Sequence, residues 1–285
     1  MIGRSENEAV IPGKAYRPRL VDLGRWKVAM VLLVVLFIVL SILLPYLVLL
    51  YASFNNYLRP PSWEAFQTMT WDNYIDVIEY GRFQTTVVNT LLMVVGTATV
   101  VTAVSFFVSM VVVRSRFWGR RVLDQFAFIP HAIPGIVMGL AFLWLFLKFD
   151  QLTGTTTFGT VTSLVIGFSV LFLAYGTRAM NAAILQLHKD LEEAAGVSGA
   201  PPWRTMIRIF VPLMMPTFVG VWVYVVLLAV RLAGLPLILF DGPSNEVLAV
   251  LIWYLWDEGN VESVAAVGVL LMTSLFLLTM LLRMV

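Results

Sequence analysis

Apolar residues in this chain gather in long runs separated by short charged connections. A hydrocarbon layer about 30 Å thick is crossed by roughly 20 apolar residues of helix, so each run reads as one span. Six can be drawn. VAMVLLVVLFIVLSILLPYLVLLYASF carries no charge from Val28 to Phe54, the second run extends from about Thr86 to Val113, and the third from about Phe128 to Leu147. A fourth covers Val161 to Tyr175, short by strict count and expected to continue through Met180. The fifth covers Val211 to Val230 and the sixth Val264 to Leu282. The expected fold class is an all-α membrane protein of six transmembrane helices.

Lysine and arginine in short loops set orientation, the richer side facing the cytoplasm. Arg4, Lys14, Arg17, Arg19, Arg25 and Lys27 precede the first run, Arg114, Arg116, Arg120 and Arg121 follow the second, and Arg178, Lys189, Arg204 and Arg208 lie between the fourth and fifth. The alternate connections hold acids: Glu64, Asp72, Asp76 and Glu79, then Asp150, then Asp241, Glu246, Asp257, Glu258 and Glu262. Both patterns place the N- and C-termini in the cytoplasm. Residues 1–27 are too charged for a signal peptide and read as a cytoplasmic segment; residues 28–285 form the membrane domain.

Composition agrees: of 285 residues, 60% are hydrophobic and 13% charged, outside the range of soluble domains. A net charge of +2 gives no nucleic-acid footprint, and the absence of cysteine removes disulfides, catalytic thiols and Cys-based metal sites.

The loop at about 181–210 has chemistry of its own. Leu187, Leu191, Ala194, Ala195 and Ser198 share one helical face that becomes progressively smaller, permitting close approach of another surface. Gly199 stands where a helix end needs positive φ, and Pro201-Pro202 stop one helix and suit the first turn of the next. On composition alone this is equally a solvated basic loop.

Its spacing adds more. Glu193-Ala194-Ala195, three residues, Gly199, nine residues, Ile209, one residue, Val211-Pro212 resembles the EAA signature of ATP-binding-cassette (ABC) importer permeases of the type I class, with Val211 in place of the usual leucine. The likeness covers nearly the whole chain. GKAYRPRLVDLGRW from Gly13, WDNYIDVI, VVNTLLMVV around Asn89 and IPHAIPGIVMGLAFLW from Ile129 resemble the ferric-iron branch and its polyamine and phosphonate relatives, here as the second permease of a split pair.

The resemblance implies that Glu193, Ala194, Ala195 and Gly199 dock on a cytoplasmic ATPase, with Ile209 and Pro212 anchoring the docking element to the fifth span. It implies a dimer of ABC ATPase subunits, a second permease (homologous or identical), an extracytoplasmic substrate-binding protein and surrounding membrane lipid as partners, in a bacterial inner membrane. No cofactor is expected in this chain. It lacks the G-x-x-x-x-G-K-[ST] phosphate loop, so ATP is expected to be bound and hydrolysed by the ATPase, and the chain is not itself an enzyme. One departure stands out: relatives carry an Arg-Glu pair at the end of span five, where this chain has Arg231-Leu232-Ala233.

Candidate pathway or gating residues are Asn89, Pro130, His131, Pro134, Gly135 and Arg231. The prolines and Gly135 would kink the start of span three, for passage or merely for packing. His131 has no Asp, Glu or Tyr near it in sequence and reads first as structural, while His188 reads as a surface residue. Arg231, near the outer end of span five, is either functional or snorkels to the interface. Trp253 and Trp256 suit an interfacial belt or the face that receives a binding protein.

The expected function is a permease subunit forming a translocation path, with ferric iron as cargo and polyamine, phosphonate or thiamine as alternatives. A secondary transporter would call for acids within the spans or paired repeats with broken helices; a membrane assembly factor would leave the EAA spacing without a purpose.

Overall fold

The computed structural model describes residues 24–283, with side chains as far as residue 280. Arg4, Lys14, Arg17, Arg19 and most of the segment from Gly13 lie outside the described residues. In chain order the helices are α1 (Trp26–Ser53), α2 (Trp63–Gln67), α3 (Asp72–Glu79), α4 (Phe83–Arg114), α5 (Arg120–Phe128), α6 (Gly135–Thr153), α7 (Val161–Gln186), α8 (Asp190–Val197), α9 (Pro202–Arg231), α10 (Gly234–Leu239), α11 (Leu248–Asp257) and α12 (Val261–Arg283). Six of them, α1, α4, α6, α7, α9 and α12, are long and apolar enough to cross a membrane. No strand occurs among the described residues.

The chain divides into two compact units, one ending at Leu47 and one starting at Val48. In the first, the described part is helix whose apolar side chains, Leu32, Leu33, Leu36 and Phe37 among them, are exposed. Two helices contain a π turn, Val39–Leu43 and Met206–Phe210. Each turn is followed within two residues by a proline, Pro45 and Pro212, which has no N–H to return to the carbonyl four residues back. The wider turn forms where that bond is missing.

In the second unit α4 and α7 run parallel and close. Small residues make this possible where lipid supplies no hydrophobic drive between helices. A Cβ on Gly96 would lie 3.1 Å from Val165 Cγ2, one on Gly176 would collide with Ser105, and Ser109 Oγ donates to the Thr177 carbonyl at 3.2 Å. Antiparallel to them runs α9, with Phe218 edge-on to Phe106 at 5.1 Å between ring centroids and Trp222 Nε1 donating to Thr99 Oγ1 at 3.2 Å. Phe168, Phe172 and Met180 of α7 form the centre of the core with Met93, Val225 and Leu235. A smaller core joins Tyr74 and Val77 of α3, Leu251 and Leu255 of α11 and Ala266 and Val267 of α12.

Several boundaries differ from the sequence reading. The third span begins at Gly135 rather than Phe128, because Pro130 and Pro134 end helical structure instead of kinking it: Ile129–Ala132 is a 3-10 turn and Ile133 is extended (φ −95°, ψ 127°), as a residue before proline prefers. The same helix continues past Leu147 to take in Lys148 and Asp150, and closes at Gly154 (φ 71°). The Asp150 carboxylate accepts from Thr155 Oγ1 and from the amides of Thr157 and Phe158. α7 continues to Gln186, so Arg178 belongs to a span and not to the following loop.

Candidate functional site

The loop after α7 is built as its residues dictate. Asp190, Glu192 and Glu193 occupy the first turn of α8, where negative charge complements the free amides. The helix closes in a Schellman arrangement: Ala200 N–H donates to the Ala195 carbonyl at 3.0 Å, Gly199 N–H donates to the Gly196 carbonyl at 2.9 Å, and Gly199 adopts φ +72°. Pro201 is extended and Pro202 opens α9. Glu193, Ala194 and Gly199 are exposed, Ala195 turns inward (8% exposed), Ile209 is half-buried in the π turn and Pro212 is exposed just after that turn in α9.

One element of the sequence reading needs correcting. The small-residue helix starts at Asp190, not Leu187. Leu187 caps α7 with an extended backbone (ψ 127°), its amide bonding the Ile184 carbonyl. His188 is exposed and pairs with Asp190 at 3.0 Å, a surface contact.

At this end of the bundle stands Arg114, the last residue of α4. Its Nη2 donates to the carbonyls of Ile184, at 2.9 Å, and of Leu187. Its Nε faces Glu192 Oε1 at 3.3 Å, near enough for an ion pair though not aligned as a hydrogen bond, and its guanidinium lies 5.6 Å from the Phe210 ring centroid.

A second feature is a cavity of about 570 Å³ between α5, α7 and α9, lined by Phe128, His131, Ala174, Tyr175, Arg178, Ala179, Thr217, Gly220, Val221 and Tyr224. Its walls are rings. His131 meets Tyr175 edge-on at 4.7 Å and Phe128 at 5.6 Å, and Tyr175 meets Tyr224 at 5.8 Å. Arg178 lies 4.9 Å over the Phe128 ring and 4.0 Å from Asp124, which also accepts from Asn181 Nδ2 at 3.2 Å. The floor of Ala174, Ala179 and Gly220 leaves the space open. Among the described residues no three His, Asp or Glu side chains group closely enough to hold a metal.

Of the six pathway candidates, only His131 lines this cavity. Asn89 is buried elsewhere: its Nδ2 is shared among the carbonyls of Pro243, Ser244 and Glu246 at 3.3, 3.3 and 3.0 Å. Pro130 and Pro134 shape the break before α6, and Gly135 opens that helix beside Leu232. Arg231 ends α9, exposed and without an ion pair among the described residues.

Sequence reasoning missed Tyr175, Tyr224, Phe128, Arg178 and Arg114. A signal existed for some. Tyr175, Arg178 and Ala179 fall at i, i+3, i+4, and Thr217, Gly220, Val221 and Tyr224 at i, i+3, i+4, i+7, two mixed faces inside otherwise apolar runs.

Comparison with known proteins gives a consistent picture. Residues 101–285 match the family described as binding-protein-dependent transport system inner membrane component. A putative 2-aminoethylphosphonate transport system permease protein, PhnV, of Salmonella paratyphi A is 26% identical over 56% of this chain and 59% of its own length. A putative ferric transport system permease protein, FbpB 1, of Haemophilus influenzae is 27% identical over 56% of this chain and 25% of its own length. An alpha-glucoside transport system permease protein, AglF, of Rhizobium meliloti is 24% identical over 70% of this chain and 66% of its own. The chain thus spans less than two thirds of each of these relatives. A crystal structure of a bacterial alginate ABC transporter, in complex with its alginate pentasaccharide-bound periplasmic protein, shares the fold: TM-score 0.73 at 17% identity, over 90% of this chain and 95% of that one.

Proposed function

Because the chain belongs to the family of binding-protein-dependent transport system inner membrane components, we propose that it works as a permease subunit of an ABC importer, with α8 as the element that docks on a cytoplasmic ATPase. The observation that carries this reading is α8 itself: a short, closed helix standing exposed where α7 ends and α9 begins, with Glu193, Ala194 and Gly199 on its open surface. A rigid element between two hinges transmits displacement to the spans on either side. ATP is bound and hydrolysed by the paired ATPases. Their closure displaces α8, and two permeases rock to open a path toward a loaded extracytoplasmic binding protein. In this arrangement the α8 end and both termini face the cytoplasm.

The cavity walled by His131, Tyr175 and Tyr224 is this subunit's share of the path. Imidazole and phenol groups suit ferric iron, which with the ferric relative favours iron as cargo. A second reading has its own support: Arg178 on the same wall offers the planar donor fork that phosphonate oxygens accept, and a relative is named for 2-aminoethylphosphonate.

Two experiments test these readings. Affinity purification of the tagged chain from its native membrane should bring down an ATPase with a Walker-type phosphate loop, and Glu193→Lys or Gly199→Val should release it. A chain that arrives alone, under conditions that preserve other membrane complexes, overturns the permease reading. For cargo, cells dependent on this system are given radioactive ferric citrate or 2-aminoethylphosphonate. Iron uptake that falls with Tyr175→Ala supports iron, whereas loss of phosphonate uptake alone with Arg178→Gln replaces it.

A further inference from the structure

We propose that Arg114 is the positioning residue that fixes the coupling helix α8 to the transmembrane bundle, an inference that rests on the coupling role assigned to α8 above. Its side chain is 9% exposed, and its one planar group joins α4 to three other segments. It begins at the end of α4, bonds the Ile184 carbonyl of α7 and the Leu187 carbonyl just beyond that helix, pairs with Glu192 on α8 and covers Phe210 in the π turn of α9. A cation at a helix C-terminus satisfies carbonyls that have no amide partner. The guanidinium does this with one edge while Nε faces Glu192, a division that a lysine ammonium, being a point donor, does not reproduce.

What makes the contact consequential is how little else ties α8 down. Its ends are the extended Leu187 and the glycine closure at Gly199. Glu192 is the one α8 side chain, among the described residues, with an ion pair to a span. A push on α8 therefore reaches the ends of α4 and α7 through Arg114, and without it α8 pivots between its hinges.

The chain has no cysteine, so paired labels can be placed without background. Val197→Cys and Leu185→Cys, both highly exposed, carry nitroxides on α8 and at the end of α7, and their distance distribution is measured in the full chain in lipid nanodiscs, alone and with its co-purified ATPase. Arg114→Gln should widen the distribution about twofold, as when a segment loses the contact that orders it, and abolish the shift that ATP with vanadate produces. Arg114→Lys should restore the carbonyl contacts and recover the width only in part. Should Arg114→Gln fail to fold, Glu192→Gln leaves the carbonyl bonds in place and should still broaden the distribution. Unchanged width in both variants overturns the proposal. Failure of the coupling reading is separately visible, as wild-type chain that retains no ATPase or shows no nucleotide-dependent shift while the broadening remains.

Discussion

Glu246 is 2% exposed and its Oε2 makes no hydrogen bond; the Arg82 guanidinium, 3.8 Å away and half exposed, is its charged partner. Burial raises the carboxyl's proton affinity above the ordinary range, and Arg82 only partly opposes this. A raised value means that the folded chain holds the proton more tightly. The resulting stability is complete below the ordinary carboxylate range and is lost as pH rises through the elevated value. Glu246→Gln should therefore unfold at a higher temperature than wild type at pH 8, with the gap closing at pH 4; thermal melts in detergent at both pH values check this, and a gap independent of pH rules it out. Asn89 acts on the same segment through three backbone carbonyls. Asn89→Ala leaves buried acceptors unmatched and should cost about 1–3 kcal/mol, read as a lower melting temperature with membrane insertion retained.

Individual contacts become helix packing through α7, which carries the core aromatics on one face and glycines where neighbours approach. A methyl group on Gly176 would collide with Ser105 and come within 3.0 Å of Val101 Cγ1, whereas one on Gly220 of α9 meets nothing within 4 Å. Gly176→Ala should destabilise by about 1–3 kcal/mol as the crowded helices are forced apart, and Gly220→Ala should be neutral or stabilise by about 0.5–1 kcal/mol through lost chain entropy. Melting temperatures of the two variants, measured side by side, separate close packing from a general intolerance of glycine replacement. The element proposed to dock on another chain has different needs: α8 is short, acidic at its start and closed by Gly199, so its geometry is local and readable from residue order. Its fastening by Arg114 was not, because Arg114 and Glu192 lie 78 positions apart.

At the scale of the whole molecule, the proposed docking role is tested at a residue that is exposed and outside every span. Glu193→Lys should insert in the membrane at wild-type levels yet lower uptake by about tenfold or more, since reversed charge at a docking surface opposes association; equal uptake at matched expression would remove Glu193 from coupling. The six spans, the two prolines that open and close helices around the loop and the glycine closure follow from runs of apolar residues and from local backbone chemistry, which act over a few positions and are therefore written in the sequence. Helix ends were harder to place: Pro130 and Pro134 broke a helix that hydropathy alone carries through, because hydropathy does not register a missing amide. The cavity belongs to tertiary structure altogether. His131 stands isolated in the sequence because Tyr175 and Tyr224 are far from it along the chain, and only the packing of α7 against both α9 and the 3-10 turn Ile129–Ala132 brings the three rings within 6 Å of their neighbours. Sequence determined what each segment is; the close approach of helices, set by glycines and small side chains, decided which segments meet.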